Sequence, residues 1–405
     1  MPSALSVRPI GTTFEVFCAF LKLGLTSFGG PIAHLGYFRD ELVVRRKWID
    51  EKGYGDLVAL CQFLPGPASS QVGFALGLLR AGFPGALAAW AAFTLPSAAI
   101  LVAFAFGAGI FGGTVGDGVI HGLKVVAVAI VAQAVWGMAR NLCPDRARAS
   151  IALAAVLVVI LVGGSTGQIG AIVAGGLAGL LLCREPVSRI EGELRFGVPK
   201  WLGLFCLVAF VVLLLALPVL RGFISWQGVT TADAFYRAGA LVFGGGHVIL
   251  PLLETEVVQT GWVSADQFLA GYGMAQAIPG PLSAFAAYLG AILQPPPNGF
   301  AGAVIALVFV FLPGFLLLVG ALPLWDEFRT KPNAQAAIRG ANAAVVGILG
   351  AALYSPVWTS AIIGTYEFAL ALTCFVLLTV WQTPPWLVVA ISACGGLAIG
   401  LTGST

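Results

Sequence analysis

Two cationic side chains lie at matching positions in two apolar stretches of this chain. Lys22 and Arg237 each lie six residues before a Phe-Gly-Gly sequence. A charge inside a membrane segment is costly, so it usually marks a binding site or an ion path. Two bare cations at equivalent positions would repel each other. The pattern therefore predicts a site for an anion, and a dianion would fit it best.

A second shared motif, Gln-x-x-Pro-Gly-Pro, ends at Pro67 and at Pro281. Proline is well tolerated in the first turn of a helix, so we expect a helix to begin after each motif. Helix N-termini present free N–H groups and partial positive charge, and they bind anions. Besides the two cations, the predicted substrate-binding residues are Ser27, Gly29, Gly30, Gln62, Gly66, Ser69, Ser70, Gly244, Gly245, Gln276, Gly280 and Ser283.

Both features have a structural alternative. Each cation could extend to the membrane interface, or it could pair with a nearby carboxylate such as Glu15 or Asp233. The Pro-Gly-Pro sequences could be kinks that bind nothing. The matching positions of the two cations favour the functional interpretation, in which the breaks and the cations form a cage for a tetrahedral oxyanion.

Four further residues are candidates for coupling transport to a proton. Glu41 and Glu256 each lie thirteen residues after the Phe of their motif, although interfacial charges would show the same spacing. His34 and His247 follow that Phe at different distances, six and four residues, so they are not strict equivalents. Three other polar residues are assigned to loops or helix ends: Asp117, His121 and Lys124.

The composition places these motifs in a membrane. Of the 405 residues, 59% are hydrophobic and only 10% are charged, whereas a soluble protein carries about 25% charged residues. Several apolar runs approach the roughly 20 residues that a helix needs to cross the hydrocarbon core. We expect an all-α, multi-pass protein of the inner (plasma) membrane, with lipid around it and no nucleic-acid partner.

Loop charge predicts that the two copies face opposite ways. Five basic residues lie between Phe28 and Gln62, whereas the matching stretch 246–275 contains no Lys or Arg. Cytoplasmic loops carry the excess of Lys and Arg. Two copies of one unit with opposite orientation form the inverted repeat of many secondary transporters.

The repeats divide the chain into an N-terminal repeat at 1–183, a cytoplasmic linker with one connecting span at 184–230, and a C-terminal inverted repeat at 231–405. Each repeat is expected to begin with two re-entrant hairpins that are broken at their Gly and Pro residues. The hairpins are predicted near 12–44, 54–79, 231–258 and 264–293. Full spans are predicted near 84–107, 119–139, 150–164, 167–183, 201–220, 299–323, 338–356, 367–381 and 386–402.

No enzyme motif is present in the sequence. The seven cysteines are scattered without a Cys-x-x-Cys pair, which argues against a metal or redox motif. There is no His-Glu-x-x-His, no Gly-x-Ser-x-Gly and no Walker P-loop. We therefore expect a non-enzymatic protein without a metal or cofactor, and pumping by ATP would need a separate subunit.

The motifs resemble those of the chromate ion transporter family in its long, two-domain form. The resemblance rests on Phe17 to Pro31, Gln62 to Pro67, Phe243 to Gly246 and Gln276 to Pro281. It implies a secondary transporter that exports chromate and confers chromate resistance, driven by the membrane potential or a proton gradient. A sulfate-type uptake carrier, an anion channel and a non-transporting scaffold are the alternatives, and a homodimer stays open. The second copy has Gly246 where the first has Pro31, so the two sites need not be equally strong.

Overall fold

The computed structural model describes residues 11–108, 113–184, 196–325 and 331–401, and within these ranges the regular elements are helices. The helices of the first half are α1 (Thr13–Thr26), α2 (Gly30–Phe38), α3 (Glu51–Phe63), α4 (Ala68–Ala108), α5 (Thr114–Leu142), α6 (Arg146–Val162) and α7 (Gly164–Leu182). Residues 39–45 extend α2 as a π-helical segment.

A long helix, α8 (Lys200–Phe223), leads into the second half. The longer helices that follow are α9 (Gln227–Ala240), α10 (Ile249–Val257), α11 (Ala265–Ala277), α12 (Phe285–Ile292), α13 (Gly299–Ala321), α14 (Pro332–Ala352), α15 (Thr365–Thr379) and α16 (Pro385–Leu401). Short 3-10 turns precede α10 and α12, at Gly246–Val248 and Leu282–Ala284.

The hairpin breaks lie at the Gly and Pro residues that the sequence singled out. A positive φ costs glycine little because it has no Cβ, whereas other residues would be strained. Each break contains at least one such residue, and the helix stops there. The φ angles are +97° at Gly29, +81° at Gly30, +126° at Gly66, +71° at Gly244, +148° at Gly245 and +106° at Gly280.

Helix α4 contains a further break. Ala81 and Gly82 have non-helical backbone angles, and Gly82 has a φ of +67°. A straight helix of its 41 residues would be about 60 Å long, roughly twice the thickness of a hydrocarbon core. The part before Ala81 therefore completes the second hairpin, and the part after Gly82 forms the following span.

The prediction of an all-α polytopic membrane protein is confirmed. In the described ranges, α8 is the most apolar helix of spanning length, with a mean hydropathy of 3.0, and only 17% of its apolar stretch is buried within the protein. Such a helix needs lipid around it. Among the residues that the structure describes, six helices are long and apolar enough to cross a membrane: Ala68–Gly107, Val115–Leu142, Gly164–Leu182, Lys200–Phe223, Gly299–Leu324 and Pro332–Ala361.

The two halves interlock through their later helices. α5 of the first half packs along α15 and α16 of the second, and α14 of the second half packs along α6 and α7 of the first. By order within each half, α5 corresponds to α14, and the pair α6–α7 corresponds to α15–α16. Each half therefore completes the other by the same exchange of helices.

Glycines bring the exchanged helices into backbone contact. A Cβ added to Gly122 on α5 would lie 2.2 Å from the carbonyl oxygen of Ser392 on α16. A Cβ added to Gly340 on α14 would lie 2.1 Å from the carbonyl oxygen of Gly175 on α7. Small residues permit such close packing of membrane helices, so a methyl group at either position would separate the two halves.

Gly340→Ala and Gly350→Ala test this packing on one helix. A Cβ at Gly350 would meet no atom within 4 Å, so alanine there should be neutral or stabilise the helix by up to about 1 kcal/mol. Alanine at Gly340 should destabilise by about 1–3 kcal/mol through overpacking. Thermal unfolding of the purified proteins in detergent measures the difference. Equal melting temperatures for the two variants would contradict the packing described.

Candidate functional site

The four hairpin breaks meet through two reciprocal backbone hydrogen bonds. The N–H of Gly66 donates to the carbonyl of Val242 at 2.7 Å, and the N–H of Gly280 donates to the carbonyl of Ser27 at 3.0 Å. Ser27 and Val242 each directly precede a Phe-Gly-Gly sequence. Each Pro-Gly-Pro break is thus bound to the Phe-Gly-Gly break of the other half.

The spans behind the breaks repeat this exchange. A Cβ on Gly280 would lie 2.7 Å from Ser97 Oγ on α4, and one on Gly66 would lie 2.9 Å from the Cα of Gly314 on α13. Ser97 and Gly314 each follow the proline inside their helix. The break of one half is therefore seated against the Pro-containing turn of a span in the other half.

Helices begin at these breaks without side-chain caps. The N-cap residues Gly29, Gly245 and Pro281 provide no side-chain hydrogen bond to the turns that follow them. α4 likewise begins directly after Pro67. The first N–H groups of a helix have no partner within the helix itself. The meeting point therefore presents several backbone donors of the kind that bind anions.

Unpartnered polar side chains accompany these helix starts. Ser27 Oγ, Ser70 Oγ and Gln276 Nε2 are buried, and none has a hydrogen-bond partner among the described residues. Buried polar atoms in proteins are nearly always hydrogen-bonded, and leaving one unpaired costs about 1–3 kcal/mol. Each of the three is therefore a hydrogen-bond donor of the kind that an oxyanion can engage.

The two predicted histidines also lie at the breaks. His247 Nε2 is 3.7 Å from the position of a Cβ added to Gly30 of the other half, and its Nδ1 is 2.9 Å from Tyr272 Oη. His34 is buried on α2, with Nδ1 3.5 Å from Ser69 Oγ. The two imidazoles have different neighbours, in line with their unequal spacing in the sequence.

The cation of the first half is engaged by a carboxylate. Lys22 Nζ donates to Glu41 Oε2 at 2.9 Å, although 53% of the lysine side chain is exposed. The other oxygen, Glu41 Oε1, accepts from Arg46 Nε at 2.9 Å. Glu15, one of the alternatives, binds Arg80 instead. Lys22 therefore ties the two arms of the first hairpin together.

The cation of the second half makes the corresponding contact. Arg237 donates to Glu256 Oε2 at 2.9 Å and to Asp233 Oδ2 at 3.0 Å. Asp233 has a fully buried side chain and also binds Arg221 at 3.0 Å. Each cation lies nineteen residues before its glutamate. Both equivalent cations are thus neutralised inside their own hairpins, and Asp233 is one of the carboxylates that the structural alternative named.

The remaining predicted donors differ in their burial. Ser283 is buried in the 3-10 turn that precedes α12, whereas Gln62 is exposed on α3. The buried glutamine at that break is Gln71, whose Nε2 donates to the carbonyls of Pro65 at 3.0 Å and Gly314 at 2.9 Å. Gln71 therefore joins the two halves, a role that was not predicted for it.

Two other residues near the breaks were not assigned to the site from the sequence. Thr94 Oγ1 is buried without a partner in the described chain, one turn before Ser97. Asn342 Oδ1 is also unpartnered and lies 3.6 Å from the position of a Cβ added to Gly244. The available signal was a polar residue within an apolar stretch of a helix, which gives no indication of what it faces.

The two ion pairs should differ in their contribution to stability. Arg237→Gln leaves the buried Asp233 and Glu256 with less compensation, and breaking a buried pair costs about 3–5 kcal/mol. Lys22→Gln should cost less than about 1 kcal/mol, because the lysine is half-exposed and Glu41 keeps Arg46. Melting temperatures of the two purified variants compare them directly. A larger loss for the Lys22 variant would contradict this ranking.

A family model described as "Chromate transporter" matches this chain twice, at residues 14–180 and at residues 229–397. The two matches cover the two halves that the breaks relate. Most of the chain is therefore similar to that family, and the similarity is itself repeated.

Curated relatives extend over nearly the whole chain. A "Probable chromate transport protein" of Synechococcus elongatus is 30% identical over 87% of this chain and 86% of its own length. A "Chromate transport protein" of Cupriavidus metallidurans is 28% identical, covering 86% and 84% respectively. A protein of the same name from Pseudomonas aeruginosa is 29% identical, covering 83% and 79%. No solved structure matches the chain.

Proposed function

This chain belongs to the chromate transporter family, and we propose that it exports chromate as a secondary transporter. It is a multi-pass protein of the plasma membrane, and its family is one of transporters. The names of the three relatives support chromate as the substrate. Outward direction and drive by the membrane potential or a proton gradient are the further parts of the proposal.

The observation that carries the proposal is the meeting of the four breaks, together with the unpartnered donors that lie close to them in the sequence. Chromate is a tetrahedral dianion, and its oxygens accept hydrogen bonds in several directions at once. The uncapped helix starts supply N–H groups, and Ser27, Ser70 and Gln276 supply O–H and N–H groups. Hydrogen bonds to charged groups contribute about 1.5–3 kcal/mol each, net of the exchange with water. A few of them therefore stabilise a bound anion.

The two ion pairs fit a substrate of two charges. A cation in an apolar segment needs a counter-charge in every state of a transport cycle, because an unpaired buried charge is strongly unfavourable. We propose that Glu41 and Glu256 supply it while the site is empty, and that the dianion replaces both when it binds Lys22 and Arg237. Two carboxylates carry the same charge as one chromate, so the exchange leaves the site neutral.

Export of such an anion needs no ATP. One elementary charge that crosses 100 mV gains about 2.3 kcal/mol, so a dianion that leaves a negative interior gains about 4.6 kcal/mol per 100 mV. Rocking of one inverted repeat against the other would open the site alternately to the two sides. The packing of each break on the other half supports a site on the boundary that such a motion would open.

Flux measurements in proteoliposomes test the function. We expect saturable chromate efflux that increases when the interior is made negative, and competition by sulfate because it has the same shape and charge. An imposed pH difference then shows whether protons also drive transport. Flux that does not saturate would identify a channel instead, and proton-driven accumulation of sulfate would identify an uptake carrier.

Serine variants connect that flux to the breaks. Ser70→Ala should raise the KM for chromate roughly tenfold or more, the equivalent of one lost hydrogen bond to an anion. Ser150→Ala on α6 is the matched control, because its hydroxyl bonds only the carbonyl of Arg146 in the same helix. An unchanged KM in the Ser70 variant would remove this donor from the site.

Paired variants separate a substrate role of the cations from a purely structural one. Lys22→Ala should abolish transport, although Glu41 keeps its contact with Arg46. The added change Glu41→Ala removes the carboxylate that Lys22 neutralises, yet transport should remain absent because the anion has lost a cation. Restored chromate flux in that double variant would show that Lys22 serves only to neutralise Glu41.

A further inference from the structure

A second polar cluster lies away from the hairpin breaks, in a cavity of about 430 Å³. Helices α5, α11 and α16 form its walls, and its polar lining consists of Asp117, His121, Lys124 and Asp266. Three of these residues were expected in loops or at helix ends; Asp117 lies in the first turn of α5, and His121 and Lys124 follow within its first three turns. Nothing in the transport site described above uses them.

Two charged contacts at this cavity cross the boundary between the halves. Lys124 Nζ on α5 donates to Asp266 Oδ1 on α11 at 2.8 Å. His121 Nε2, also on α5, lies 3.4 Å from Glu367 Oε1 on α15. α5 belongs to the first half, whereas α11 and α15 belong to the second. A change in either contact therefore changes how strongly the halves adhere here.

The His121–Glu367 contact is longer than a good hydrogen bond. The side chain of Glu367 is only 2% exposed, and its Oε2 accepts the N–H of Gly364 at 2.9 Å. His121 Nε2 is buried and has no hydrogen-bond partner in the described part of the chain, because 3.4 Å is too long for a good N–H···O bond. A proton on this nitrogen would create a charge-assisted bond to the carboxylate, and such bonds are shorter and stronger.

The surroundings favour a proton over other ions. Asp117 and Lys124 on α5 and Asp266 on α11 are the other charged groups at the cavity, so with Glu367 the acids outnumber the base and would repel a dianion. α16 carries no charged residue, and Arg339 of α14 is bound to the carbonyl of Cys183. In the described ranges, no group of three His, Cys, Asp or Glu could hold a metal ion. Asp266 is 64% exposed, so water reaches the cavity.

The cavity lies near the start of α5, at the end of the helix remote from Arg140. Arg140 is in the last turn of α5, and Arg146 begins α6. The 29 residues of α5 span about 43 Å, and the basic end of a span faces the cytoplasm. The cavity therefore opens on the opposite side of the membrane.

We propose that His121 and Glu367 form a proton-binding site at the external face, and that a proton bound there holds the two halves together at that face. The proton comes from external water and adds to His121 Nε2, and no other bond is made or broken. The imidazolium then pairs with Glu367 across the boundary. This proposal rests on the proposed transport function, because closing the external face matters only if that face opens during transport.

Chromate–chromate exchange in oriented proteoliposomes tests the proposal, since exchange has no net driving force to confuse with pH. Acidifying the external side across the range in which imidazole changes charge, about pH 8 to 5, should slow exchange roughly fivefold or more. The same change on the cytoplasmic side should slow exchange less, because chromate itself takes up a proton on whichever side is acidified, whereas the proposed site lies on the external side alone. Equal slowing from both sides, stronger slowing from the cytoplasmic side, or no slowing from either side would overturn the proposed site while leaving transport established.

Variants assign the effect to the pair. His121→Gln and Glu367→Gln should both lose the extra slowing by external acid and keep only the slowing that protonation of chromate itself causes, while Asp117→Asn in the same cavity should keep the full dependence of the parent protein. Every variant meets the same anion at each pH, so differences between the curves report the protein. A His121→Gln curve that matches the parent would overturn the assignment. Absence of exchange in the parent protein itself would count against the proposed function instead.

Discussion

The hydrogen bonds from Gly66 to Val242 and from Gly280 to Ser27 are the interaction on which the rest of the structure depends. A broken helix inside a membrane exposes backbone groups that lipid cannot satisfy, so such a break needs protein or water around it. Here the breaks of one half satisfy those of the other. Neither half could bury its own breaks in the same way, which explains why the chain needs two copies of the unit.

This constraint also sets the position of the charges. Each first hairpin has to fold back on itself to bring its break to the centre, and the contact of Lys22 with Glu41 or of Arg237 with Glu256 joins the two arms of that hairpin. Each of the two equivalent cations is paired with a carboxylate, so the centre carries partial charges from helix ends instead of bare cations. A site of this kind can attract an anion without holding a large uncompensated charge when it is empty.

The sequence predicted the helices and their breaks well, because glycine and proline act locally. Gly29, Gly66 and their counterparts mark points where the backbone leaves the helix, and apolar length marks the spans. The carboxylate partners were harder to predict. Glu41 reaches Lys22 only because the hairpin closes, and its spacing alone also suited an interfacial charge. The neighbours of Gln71 and His121 depend on which helices the two halves exchange, and periodicity along one helix carries no information about that.

The exchange of helices between the halves has a consequence for how the protein is made. α5 ends at Leu142, yet its partner α16 begins only at Pro385. At about 5–20 residues per second, the ribosome needs tens of seconds to supply the later helix. During that interval the glycine face of α5, with Gly118 and Gly122, stands in the bilayer without its final neighbour. Biogenesis therefore passes through a half-built protein that lipids or an insertion chaperone must shield until the last helices arrive.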